Sequence, residues 1–263
     1  MNVEVIYIAF IFVFGLVLGS FYNVVGYRLP NEMSIAFPAS HCPKCNHKLR
    51  FYELVPVFSY LFLKGKCKKC KSKISIMYPI FELITGLLFV VSYLVFGFNI
   101  KFFVSIVFIS VLIVISISDL KYYIIPDEVL IVGAVLIVVL YIINTYVNNL
   151  SVFIGIIKPI LNALGSFIFL YVFKVLGDMF FKKECLGGGD VKLMCLVGLV
   201  IGFDMSIVTI FLAAFIALPL SVVSLIKNDN NVLPFGPYLS IAASILFLTN
   251  INLNMILEFF VNR

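Results

Sequence analysis

The sequence predicts an all-α, polytopic membrane protein, with about eight transmembrane helices and a small cytoplasmic loop domain after the first helix. Three observations predict this class. Hydrophobic residues make up 63% of the 263 positions and charged residues 12%, about half the charged share of a soluble domain. Mean hydropathy is +1.16. The apolar residues come in continuous runs rather than in alternation, and in lipid, where every backbone group is satisfied internally, that pattern selects helices over a barrel. A net charge of +6 is therefore read as topology and not as nucleic-acid binding.

Crossing the hydrocarbon takes roughly 20 apolar residues. Residues 3–25 form the first such run. Met1 to Glu4 lack the basic region of a secretory signal and no small-x-small cleavage site follows, so the run reads as a retained span. A polar loop occupies 26–78. Further spans are predicted at 79–96, 102–118, 129–143, 159–176, 191–201, 206–226 and 235–248. The 191–201 run is short enough to tilt little or to be re-entrant, and the tail 250–263 is too short and polar for a ninth span.

Basic residues set the orientation. Of 19 Lys and Arg, ten lie in 26–78, opposed there by Glu32 and Glu53 alone. That loop is predicted to be cytoplasmic and the N-terminus to lie outside. Counting onward places 119–128, 178–190 and 227–232 on the cytoplasmic side as well. The one clear organisational break is this long basic loop after the first run.

Within the loop, Cys42-Pro43-Lys44-Cys45 and Cys67-Lys68-Lys69-Cys70 form two C-x-x-C knuckles with 21 residues between them. A two-residue spacing lets both thiolates of a knuckle reach one ion, and two knuckles complete a tetrahedral four-sulfur Zn²⁺ site. Closed coordination leaves no position for a substrate, which makes the metal structural. So polar a loop needs such a staple to fold. Against it stand unliganded thiols or a redox pair. His41 and His47 flank the first knuckle as spare ligands or, the better reading, as ordinary loop residues. The basic side chains either solvate the loop or also attract anionic headgroups or an acidic segment.

The second cluster is Gly187-Gly188-Gly189-Asp190, opening one of the most apolar regions. Glycines let another chain lie flush against the backbone, and an acid at a membrane edge is costly without a function. Asp119, at the end of the third run, falls at the same depth. Two carboxyls within hydrogen-bonding distance cannot both ionise cheaply; one keeps a proton, and the pair can activate water as base while donating to a carbonyl as acid. The competing readings are helix caps for Asp190 and Asp127 and an interfacial anchor for Asp119. No Ser–His–acid set and no H-E-x-x-H motif competes. Lys192 is expected to snorkel rather than pair, Cys185 and Cys195 to be unliganded, and Glu53 and Glu82 each to be either an amine holder or a plain interfacial carboxylate.

Gly187-Gly188-Gly189-Asp190 resembles the G-x-G-D signature of membrane aspartic peptidases, and Asp119 through Ile125-Pro126-Asp127 resembles the first acid motif of the type IV prepilin peptidases. Gly19-Ser20-Phe21-Tyr22-Asn23-Val24-Val25 with Arg28-Leu29-Pro30, the double knuckle, and Pro234-Phe235-Gly236-Pro237-Tyr238 match the same family. The cysteine loop and Pro234–Pro237 do not suit the presenilin-like intramembrane peptidases; a zinc-anchored scaffold or transporter is the non-enzymatic alternative.

The resemblance implies a bifunctional enzyme of the bacterial inner membrane. It would remove the leader of prepilins and pseudopilins at the cytoplasmic face, after a glycine, and then methylate the new N-terminal residue with S-adenosylmethionine. Asp119 and Asp190 would be the catalytic acids of a peptidase domain spanning 101–263, and Gly187, Gly188 and Gly189 would receive the substrate. Cys42, Cys45, Cys67 and Cys70 would hold zinc in the methyltransferase-associated region 1–100. With no G-x-G-x-x-G after a strand, no methyl-donor site is named.

Overall fold

The long apolar runs form helices in the computed structural model, which describes residues 3–183, 186–226, 233–255 and 258. The chain divides into two compact units, Met1–Phe98 and Asn99–Arg263.

The first unit is built on a pair of long helices, α1 (Val3–Arg28) and α3 (Met77–Phe96). Small residues let their backbones touch. A Cβ on Gly15 would lie 2.7 Å from Gly86 Cα, and one on Gly19 2.8 Å from Glu82 Cα. Gly15 and Gly19 form a G-x-x-x-G pair, the spacing that favours close helix association in lipid, where burial of apolar surface supplies little. Gly19→Val is expected to destabilise this pair by about 1–3 kcal/mol through overpacking, read as a lowered unfolding temperature of the purified protein.

Between α1 and α3 runs the polar loop, with one short α-helix, α2 (Phe58–Phe62), and two 3-10 turns, Leu29–Asn31 and Phe51–Glu53. Its two knuckles repeat one turn. Cys42 N–H donates to His47 O and Cys67 N–H to Ser72 O, while Asn46 and Lys71, each following the second cysteine, take left-handed φ of 53° and 58°. One antiparallel bridge closes each turn, His41 with Lys48 and Lys66 with Lys73.

The second unit contains α4 (Ile100–Tyr122), α5 (Asp127–Val147), α6 (Lys158–Phe181), α7 (Gly188–Ile201), α8 (Phe203–Ile226) and α9 (Gly236–Thr249). A π-helical turn, Phe153–Ile157, leads into α6. Helix α4 is the centre: 67% of its apolar window is buried, against 22–28% for α5, α6 and α8. Its Phe108, Leu112 and Ile115 pack in one core with Leu193, Val197, Leu239 and Ala243 of α7 and α9.

Among the described residues, six helices are long and apolar enough to span a membrane, against about eight predicted spans. The difference lies in α7 and α9, of 14 residues each. At 1.5 Å per residue each is about 21 Å long, short of the roughly 30 Å of hydrocarbon. Local chemistry sets their ends. Gly202, with φ +96°, stops α7 in a conformation that glycine alone adopts cheaply. Proline in the first turn starts α9 and a left-handed Asn250 ends it. The loop 227–232 and residues 256, 257 and 259–263 of the tail lie outside the described residues, as does Cys185.

Candidate active site and metal centre

In the second unit, the end of α4 and the beginnings of α7 and α9 converge. Asp119 lies one turn before the C-terminus of α4, where Tyr123 adopts a left-handed conformation and donates its N–H to Asp119 O at 3.0 Å. The chain then reverses through Ile124-Ile125-Pro126, braced by the Ser118 hydroxyl donating to Ile124 O. Pro126 fixes the start of α5.

Asp119 and Asp190 are both buried, 6% and 7% exposed. Gly236 N–H, at the first residue of α9, donates to Asp119 Oδ2 at 2.9 Å. There is no room for a side chain there: a Cβ on Gly236 would stand 2.7 Å from that oxygen. Asp190 is the third residue of α7, not its N-cap, which is Gly187. Its carboxyl folds back onto the Gly187 backbone, and it lies within electrostatic reach of Asp119 and of Lys174 on α6. Lys174 also donates to Leu186 O at 2.9 Å, holding the chain that leads into the glycines.

The three glycines are not equivalent. A Cβ on Gly189 would meet Ile125 Cβ at 2.8 Å, and one on Gly187 would meet Asp190 Oδ2 at 3.1 Å, whereas Gly188 faces open space. Ile125 also lies against Gly236, 3.3 Å from the position of a Cβ there, and so fills the gap between the starts of α7 and α9.

Lys192 does not snorkel. It pairs with Asp127 at 2.7 Å, tying the start of α7 to the start of α5. Asp127 is the first residue of α5 and Pro126 its N-cap, so this ion pair replaces the capping role expected for the acid. Cys195 is a partly buried free thiol in α7.

In the first unit, the sulfurs of Cys42, Cys45, Cys67 and Cys70 all lie within 4.8 Å of one another. Cys42 and Cys70 are 3.8 Å apart and Cys45 and Cys67 3.9 Å. Four thiolates held at about 2.3 Å from one tetrahedral Zn²⁺ would have sulfur–sulfur edges of roughly 3.8 Å, so the cluster fits that ion. Its electrostatics also ask for a cation. The amides of Lys44 and Cys45 hold the Cys42 thiol down to about 6. At Cys45 the His47 amide acts in the same direction, but burial and the three neighbouring sulfurs outweigh it and push the thiol up to about 11. Four sulfurs so close cannot all carry charge without a counter-ion.

His47 is a brace beside this cluster. Its Nε2 lies 3.2 Å from Glu53 Oε2, which also accepts the Arg50 amide at 2.8 Å. Burial raises the Glu53 carboxyl, but the Arg50 amide and His47 outweigh it and hold it below the usual carboxylate range. His41 Nδ1 makes a local contact with Ala39 O at 3.0 Å. Glu53 is therefore committed to the knuckle, whereas Glu82 is buried on α3 with the Val57 amide on its Oε2.

A helical membrane protein with two buried aspartates at converging helix ends, the second in a Gly-Gly-Gly-Asp turn, is built as a polytopic aspartic peptidase, here with a four-cysteine module as well. Comparison with known proteins narrows the class. Residues 13–96 match the bacterial peptidase A24 N-terminal domain and residues 106–222 the type IV leader peptidase family. Three similar proteins are each named prepilin leader peptidase/N-methyltransferase. The one from Bacillus subtilis (strain 168) is 34% identical over 91% of this chain and 92% of its own length. That of Pseudomonas putida is 31% identical over 88% and 86%, and that of Pseudomonas aeruginosa 31% over 89% and 87%. The chain belongs to the type IV leader peptidase family. No solved structure matches it.

Proposed function

We propose that this protein removes the leader peptide of prepilins or pseudopilins with Asp119 and Asp190, and methylates the amine so exposed. The reading rests above all on two buried carboxyls at the ends of separate helices, held within electrostatic reach of each other. The dyad shares one proton. Its ionised member takes a proton from water as the water oxygen attacks the scissile carbonyl carbon. The protonated member donates to the carbonyl oxygen. Collapse of the tetrahedral adduct breaks the C–N bond, with a proton passing to the leaving nitrogen. The products are a leader carboxylate and a free α-amine. Gly188, open on its side-chain face, lies where an extended substrate can run along the backbone.

The orientation belongs to the same proposal: the ten basic residues of 26–78 put that loop, and the acids with it, on the cytoplasmic side of the bacterial inner membrane. Cys42, Cys45, Cys67 and Cys70 hold a structural Zn²⁺. S-adenosylmethionine, when bound, supplies an electrophilic methyl group. The protein's own role is to hold the amine and keep water from it. The direct test follows leader release from a prepilin substrate, and methylation of the product, by purified protein and its aspartate variants.

Gly236→Ala tests the support of Asp119. The added methyl would displace Oδ2 from its amide donor, and misplacing a catalytic group by about 1 Å can cost roughly a hundredfold. Leader cleavage is expected to fall by about that factor, with the metal content of the first unit unchanged.

A further inference from the structure

The first unit holds a buried acid that leader cleavage does not use. Glu82 lies in the second turn of α3, 7% exposed. Its Oε2 accepts the Val57 amide at 2.7 Å, and the Ser20 hydroxyl is its other partner. Among the described residues no Lys, Arg or His forms an ion pair with it. A carboxyl inside a span without a cation is costly and points to a site.

Two further features belong to the same unit: one bonds Glu82 directly, and the other lies on the facing side of the α1–α3 interface. Val57 has φ 63° and ψ −52°, backbone that a β-branched residue adopts only when its surroundings force it. That strained residue is the one whose N–H reaches Glu82. Asn23, on α1, is 2% exposed. Its amide donates to Gly19 O at 3.1 Å and to Tyr78 O at 3.2 Å. Only the NH₂ end can serve two carbonyls, which fixes the orientation and leaves Asn23 Oδ1 buried with no partner among the described residues.

These groups share one seam. Ser20 and Asn23 are three residues apart on α1, and Tyr78 and Glu82 four apart on α3, so each pair lies on one helix face. Ser20 reaches Glu82 and Asn23 reaches Tyr78, across the same interface. The seam therefore presents a carboxylate and an orphan carbonyl oxygen, both acceptors. An anion would meet only acceptors there, and a hydroxyl would leave the charge unmatched. A primary ammonium brings positive charge and three donors.

We infer that Asn23 and Glu82 form the seat of a primary ammonium group used in methyl transfer. The inference rests on the methylation reading above. Two molecules offer that chemistry: the peptide amine freed by leader cleavage, and the methyl donor, which carries an α-ammonium of its own.

The test uses the full chain in lipid nanodiscs. Equilibrium binding is measured for a peptide with a free N-terminal phenylalanine, for its N-acetylated twin, and for S-adenosylhomocysteine with and without N-acetylation. The free-amine form of one pair should bind at least tenfold more tightly than its acetylated partner. Glu82→Gln, which keeps an acceptor for Val57, should remove that preference while zinc content and leader cleavage stay unchanged. The pair that shows the preference identifies the source of the ammonium. If Glu82→Gln keeps the preference within twofold and still transfers methyl, the seat is overturned and the methylation reading survives. If the wild type binds none of these ligands and transfers no methyl, both fall. Should Glu82→Gln lose its zinc, the wild-type contrast decides alone, and equal binding of both members of each pair overturns the seat.

Discussion

Leader cleavage by Asp119→Asn and by Asp190→Asn is expected to fall at least about a thousandfold in each case, within the range that a single acid–base group contributes. Asparagine keeps the shape of the carboxyl and its acceptor oxygen, so the Gly236 amide retains a partner at Asp119→Asn. What is lost is the shared proton: a lone carboxyl can take a proton from water or give one to the carbonyl, but cannot have both roles filled at once. The double variant should therefore be no slower than the slower single one, because the two acids act as a unit. Zinc content and methylation of a pre-cleaved substrate should stay at wild-type levels in all three. Cleavage at the normal rate by either single variant would remove the dyad from the mechanism. The non-enzymatic scaffold alternative makes the opposite forecast, that neither substitution alters any turnover.

The features of this site that could be read from the sequence are those whose chemistry is local. Cysteine spacing at 42–45 and 67–70 encodes two identical turns, and a turn of that kind needs no distant partner to bring its sulfurs together. Asp119 and Asp190 stood out because acids are rare in such apolar surroundings. Contacts between distant positions were not legible. Gly236 is 117 residues from the carboxylate it supports, and nothing in Pro234-Phe235-Gly236-Pro237 says which acid its amide will meet. Lys192 and Asp127, 65 residues apart, pair because α5 and α7 begin side by side. The two shortest apolar runs of the sequence, 191–201 and 235–248, form helices α7 and α9 of 14 residues each. Those short helices have a use: their N-terminal amides come to Asp119 and Asp190, and helix N-termini favour negative charge.

Removing one sulfur from the four-cysteine cluster is expected to empty it. Purified wild type should carry one Zn²⁺ per chain and Cys67→Ser close to none. Cys67 is among the most buried residues of the loop, 3% exposed, so a hydroxyl there cannot swing out and let water take the fourth position. Metal binding in four-sulfur sites of this kind is worth about 10–16 kcal/mol, far more than a polar loop can gain by burying its own apolar groups. The 39–74 segment should lose its two turns together with the ion, which protease digestion of that loop would report. Proton counting gives an independent check. At pH 8 the Cys42 thiol, held down to about 6, is already ionised, whereas Cys45, pushed up to about 11, still holds its proton. Zinc uptake by chelator-stripped protein at pH 8 should thus release protons, with Cys45 a principal source, and the release per ion should shrink as the pH is raised towards 11. As the pH falls through about 6 and below, protons reclaim Cys42 as well, and zinc should leave in acid rather than in base. Leader cleavage, which the proposed mechanism assigns to Asp119 and Asp190 of the second unit, should survive loss of the ion, while methylation should fall with it. Loss of both activities together would show instead that the peptidase depends on the metal-held loop.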